Sequence, residues 1–132
     1  MAIDIGIRTT LNLPYEQAVQ KTTDALKAEG FGVLSQIDMQ ATLKQKLNVD
    51  FRRYVILGAC NPPLAHRALS ANLDVGLLLP CNVVVYQRDG QIHISAIDAE
   101  RMLSIVGNSD LAPVAAEVRA KLALVVERAT AA

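Results

Sequence analysis

Two cysteines occur in this chain of 132 residues, and each is followed by asparagine. Cys60-Asn61 ends the run Tyr54-Val55-Ile56-Leu57-Gly58-Ala59 and precedes Pro62-Pro63. Cys81-Asn82 follows Pro80 and leads into Val83-Val84-Val85-Tyr86, and His66 stands six residues beyond Cys60. A thiolate is both a nucleophile and a soft metal ligand, and its pKa falls at a helix N-terminus, where unpaired N–H groups favour negative charge. Asn61 as cap with Pro62 in the first helical position is the strongest helix start in the chain.

Three chemistries fit these residues. In a thiol site, Cys60 reacts and Cys81 resolves, although the chain has no Cys-x-x-Cys pair. In a metal site, Cys60, Cys81 and His66 offer soft ligands suited to copper(I), zinc or iron. Structural zinc sites, however, place their ligands in close pairs, and these three are scattered singly. In a binding module, Cys60, Asn61, His66, Cys81 and Asn82 line a small pocket at the end of a sheet, where helix N–H groups accept an anion or polar group. Ordinary packing competes with all three, because a free cysteine behaves as a small buried hydrophobe. The preferred reading is a small-ligand or metal-binding module centred on the two Cys-Asn pairs, with ligand and cofactor unassigned. A thiol-dependent redox enzyme and a purely structural or partner-binding protein are the alternatives. Whether the chain is an enzyme stays open: no Gly-x-Gly-x-x-Gly, Walker loop, Gly-x-Ser-x-Gly or His-Glu-x-x-His motif is present. Arg8, Arg53 and His93 are further candidate charge partners, while Met39 and Met102 read as core filler.

The elements that position these residues follow from periodicity. Ile3, Ile5, Ile7 and Thr9 alternate with polar residues as in a half-buried strand. A helix over about 14–29 carries Ala18, Val19, Thr22, Ala25 and Leu26 on one face and stops at Gly30. A second strand spans 31–37, a short helix follows Asp38, and a third strand spans 51–58 in an interior position. After the Asn61 helix, Val75–Leu79 and Asn82–Gln87 read as strand segments separated at Pro80. Arg88-Asp89-Gly90 turns the chain into a strand over 91–97 that directs Ile92, Ile94 and Ala96 inward and His93 and Ser95 outward. A short helix over 98–106 and a last helix capped by Ser109 complete the order βα–βα–βα–ββ–αα. The expected fold is α+β: one domain over 1–132, with a mixed sheet covered mainly on one face by helices.

Composition narrows the partners. Thirteen basic and thirteen acidic residues leave no net charge, so the basic surface a nucleic-acid binder needs is not expected. No apolar run approaches a membrane span, and the first residues lack a signal-peptide pattern, so the expectation is a cytoplasmic protein with reduced thiols and no membrane partner.

Tyr54 to Leu64, Gly76 to Tyr86 with its Pro-Cys-Asn piece, and Ala96-Ile97-Asp98 together resemble the bacterial and archaeal family catalogued as domain of unknown function 302. The resemblance covers nearly the whole chain. It implies a small α+β domain that forms a homodimer, and it implies no established activity.

Overall fold

The structure is a computed structural model that describes residues 4–131; Ile3 of the expected first strand lies outside them. Five strands form one sheet: β1 (Gly6–Leu11), β2 (Gly32–Asp38), β3 (Tyr54–Cys60), β4 (Cys81–Arg88) and β5 (Gln91–Ile97). Their order across the sheet is β1-β5-β4-β3-β2. Every neighbouring pair is antiparallel, so the expected mixed sheet is corrected. The helical crossovers do produce strands running in the same direction, but β1 and β2 sit at opposite edges and β4 separates β3 from β5. No two parallel strands are neighbours.

Helix α1 (Tyr15–Ala28) begins after Pro14 and buries Ala18, Thr22, Ala25 and Leu26. It closes in a Schellman motif: Phe31 N–H donates to Leu26 O at 2.9 Å and Gly30 N–H to Lys27 O at 3.1 Å, with Gly30 at φ +85°. Helix α5 (Ala112–Thr130) lays Val114, Val118, Leu122, Val125 and Val126 against α1 and the sheet. Two further helices link strands: α2 (Met39–Leu47) joins β2 to β3, and α3 (Pro62–Ala71) follows β3. The six-residue α4 (Ala99–Ser104) follows β5 and packs on α5. Strand alternation sends Val55, Leu57, Ala59, Cys81, Val83, Val85, Ile92, Ile94 and Ala96 into this helical layer, where all are buried. Among the described residues, the other face of the sheet carries no helix of its own, and Tyr54, Ile56, Val84, Tyr86 and His93 there are only partly buried.

Two local expectations are corrected. Val75–Leu79 is not a strand: Leu73–Leu78 form a 3₁₀ helix whose start is capped by Asn72, which accepts from Asp74 N at 2.8 Å. Val75 is fully buried and Leu78 and Leu79 pack partly buried against the core, whereas Leu73 and Leu77 are 84% and 85% exposed. Nor does Ser109 cap the last helix. Asn108 caps a 3₁₀ turn over Ser109–Leu111, and α5 starts after it at Ala112 with Pro113 in its first turn. The third strand also starts later than expected, at Tyr54; before it, Phe51 O accepts from Gln40 Nε2, while Arg53 O still accepts from Gln87 N of β4 in line with the β3–β4 register. Among the described residues, no helix is long and apolar enough to cross a membrane.

Candidate functional site

The register of the sheet decides where the Cys-Asn residues go. Ala59 pairs with Cys81 and Gly58 with Asn82. Cys81 thus shares the helical side with Ala59. Cys60 lies one residue further along β3, beside Gly32 of β2, and by alternation belongs to the opposite side. The two cysteines are free, at the same end of the sheet but out of phase.

Cys81 and Asn61 do meet. Together with Phe31, Leu64, Leu79 and Met102 they border an apolar cavity of about 20 Å³, room for about one water. Burial pushes the Cys81 thiol up to about 11, with nearby Cys60 adding a smaller push in the same direction. Asn61 is occupied structurally: it accepts from Leu64 N at 3.4 Å as the cap of α3 and donates to Glu29 O at 3.4 Å. Asn82 is exposed on the other face of the sheet, and His66 is exposed on α3. The structure therefore sets Cys81 and Asn61 on the border of one small cavity, and Cys60, Asn82 and His66 are not among the residues that line it. Among the described residues, no three His, Cys, Asp or Glu side chains converge as a metal site would require. Met39, on a helix with no buried residue, fills no core; Met102 does pack against it. Arg53 is engaged with Glu16 and lies over the Tyr15 ring, 5.5 Å from its centroid.

The helix-free face has its own order, which was not read from the sequence. One row of paired residues runs Ile37, Ile56, Val84, Ser95, Arg8 from β2 to β1. The next runs Tyr54, Tyr86, His93, Thr10 from β3 to β1. In that second row the rings stand stacked, Tyr54 on Tyr86 at 5.2 Å and Tyr86 on His93 at 5.0 Å, with interplanar angles of 9° and 3°. Both rows grade from apolar at β2 and β3 to polar and basic at β5 and β1. One part of this alignment was legible in advance. The Asp89-Gly90 turn, with φ of 54° and 77°, sets Arg88 opposite Gln91 and hence Tyr86 opposite His93. The contribution of Tyr54 needed the β3–β4 register, which no turn specifies.

Gly58 shows how tightly the cysteine end of the face is closed. A Cβ there would lie 2.3 Å from Ser35 Oγ and 2.8 Å from Pro80 Cγ, so the hydroxymethyl group and the proline ring occupy the space a side chain would take. The bulge in β2 between Val33 and Ser35 brings Ser35 over this glycine.

Fold and surface together define an α+β protein whose antiparallel sheet is covered on one face and open on the other. Residues 7–129 match the model of the family described as domain of unknown function DUF302, and the chain belongs to that family. It is similar to the crystal structure of the uncharacterized conserved protein DUF302 from Bacillus stearothermophilus. That similarity stands at 32% identity and a TM-score of 0.89, covering 95% of this chain and 98% of the other. Comparison with curated proteins finds no match.

Proposed function

We propose that this protein is a binding module that works as a homodimer, with two copies meeting at the apolar half of the open sheet face and the polar half left to a ligand. The grading of the face carries the reading. From β2 to β4 two of its rows present Ile37, Ile56, Val84, Tyr54 and Tyr86 and turn polar towards β1, while Ser35 and exposed Asn82 add polar groups at the cysteine end. The adjoining connection adds to the same edge. Helix α2 has no buried residue, and Leu47, Val49 and Phe51 beside it are 65%, 43% and 41% exposed. A helix of nine residues is marginal without tertiary packing, and a second copy would supply it. An apolar centre with a polar rim is the usual anatomy of an interface. The charges nearby are largely matched within the chain, Lys44 by Asp50 and Arg53 by Glu16, which limits repulsion between copies.

The thiol reading has less support. An exchange partner must be a thiolate within reach, and Cys81 is buried, protonated at neutral pH and out of phase with Cys60.

Sedimentation velocity over a concentration series tests the dimer. The expected result is a monomer–dimer equilibrium at about micromolar concentrations, as for interfaces of modest area. Ile37→Glu and Phe51→Glu should each shift it to monomer, while Leu77→Glu, at a site 85% exposed outside this edge, should leave it unchanged. A parent protein that stays monomeric at about 100 μM would sink the proposal.

A further inference from the structure

The polar half of the open face has the shape and charge of a ligand site, and we infer that it binds a planar ring bearing a carboxylate or phosphate group. The row of stacked rings Tyr54, Tyr86, His93 ends at β1, where the next position is Thr10. One face of the His93 imidazole is covered by Tyr86. The other looks over a short hydroxyl-bearing side chain where a fourth ring would continue the row at the spacing of the strands, about 4.8 Å. A planar ligand fits that step, and offset stacking on an aromatic neighbour is its favourable arrangement.

Charge selects the ligand's other end. The cleft, about 430 Å³, is bordered by Arg8, Thr10, Tyr86, Arg88, His93 and Ser95 among others, and none of its lining residues is a carboxylate. The register places the two arginines on opposite sides of the imidazole. Arg8 pairs with Ser95, one same-face step beyond His93, and Arg88 pairs with Gln91, one step before it. Diagonal neighbours of this kind lie about 7–8 Å apart, within reach of a long side chain. Arg88 is the freer of the two, since its nearest carboxylate, Asp89, is 3.9 Å away. Arg8 already holds exposed Asp4 at 2.6 Å, so a ligand contact there competes with that pair. The Arg8 guanidinium lies over Gly6 beside Asp4, so the anionic substituent of a ring seated on His93 draws on Arg88 as it stands and on Arg8 once that side chain leaves Asp4. Planar guanidinium groups bind carboxylate and phosphate oxygens in forked geometry. Thr10 and Ser95 add hydroxyl donors at the same level.

The site lies towards β1 but shares Tyr86 with the edge of the proposed dimer contact, so it needs a test that reads the cleft directly. The chain's two histidines allow a direct one: His93 reports the cleft, and exposed His66 on α3 is an internal control. Imidazole proton resonances are followed by NMR at fixed pH during titration with benzoate, adenosine monophosphate, adenosine and inorganic phosphate. The expected result is a saturable upfield shift of His93 with benzoate or adenosine monophosphate at about millimolar concentrations, and a still His66. Whichever of the two binds more tightly identifies carboxylate or phosphate as the group recognised. Adenosine and inorganic phosphate should each bind about tenfold more weakly, and Arg88→Gln should weaken the better ligand by about the same factor. Three results would each overturn the inference: no saturation with either ring-bearing anion, equal shifts at His66 and His93, or affinity indifferent to Arg88→Gln. Inorganic phosphate binding as well as adenosine monophosphate would overturn it too, by removing the role of the ring.

Discussion

The buried thiol offers the sharpest quantitative test. A Cys60→Ser variant leaves Cys81 as the single thiol, held at about 11 rather than its ordinary 9.0 because the apolar cavity disfavours the thiolate. At neutral pH its thiolate fraction is then lower by about 100-fold than that of the same thiol in the unfolded chain. Reaction with an aromatic disulfide reagent should therefore be slow and should rise about tenfold per pH unit through pH ~10 without a plateau. Stability carries the same signature. The folded pKa is raised, so the folded state holds the proton more strongly than the unfolded state. The associated stability is fully present below pH ~9 and is lost as pH climbs from ~9 through ~11, up to about 3 kcal/mol in total. Tyr15 and Tyr54 are also raised by burial and add their own dependence on alkaline pH, so the comparison is the pH slope of urea unfolding in Cys60→Ser against Cys60→Ser/Cys81→Ala. The double variant should lose the Cys81 part of the slope. A reaction profile that levels off with a midpoint near ~8.5, or identical slopes in the two variants, would refute the assignment of Cys81 as a desolvated core thiol.

Two further predictions concern packing and capping. Gly58→Ala places a methyl group against Ser35 Oγ and the Pro80 ring and should cost about 1–3 kcal/mol in urea unfolding. Adding Ser35→Gly should restore only part of this, since the ring cannot rotate away; full recovery would show that the hydroxyl alone closes the site. Asp98 is 8% exposed, caps α4 by accepting from Glu100 N at 3.1 Å and Arg101 N at 3.3 Å, and accepts from Arg119 Nε at 3.1 Å. Asp98→Ala should cost about 2 kcal/mol, and Arg119→Ala less than half of that, because the exposed arginine adds only a partly screened pair. Equal losses would mean that the ion pair, not the cap, holds this corner.

Local signals in the sequence carried much of the architecture. Pro14 and Gly30 bounded α1, Asn61-Pro62 started α3, Asp89-Gly90 closed the β4–β5 hairpin, and the stripe from Val114 to Val126 announced the long packing face of α5. Each rests on backbone preferences or a helical period within a few residues, so no distant contact was needed to read it. Where local pattern and tertiary demand differed, the pattern misled. The apolar segment Val75–Leu79 looked like a strand, but the chain there turns between α3 and β4 on an Asn72 cap. Ser109 looked like a helix cap one residue beyond the asparagine that performs that role at the start of the 3₁₀ turn.

The candidate site divides in the same way. The residue types were legible: two Cys-Asn pairs, a histidine at an outward position of β5, and an arginine at an outward position of β1. Their grouping was not, because neighbouring side chains in a sheet are set by register between strands distant in sequence, and a shift of one residue exchanges the two faces. That single parity puts Cys81 in the core opposite Ala59 while Cys60 and Asn82 fall on the other side. The same parity stacks Tyr54, Tyr86 and His93 across three strands and sets Arg8 and Arg88 about them. Sequence by itself determined the α+β order and the ends of most elements, through caps, turns and periodicity that act locally. The tertiary structure alone decided which of these residues stand together on the open face of the sheet, since only strand pairing specifies which residues share a face.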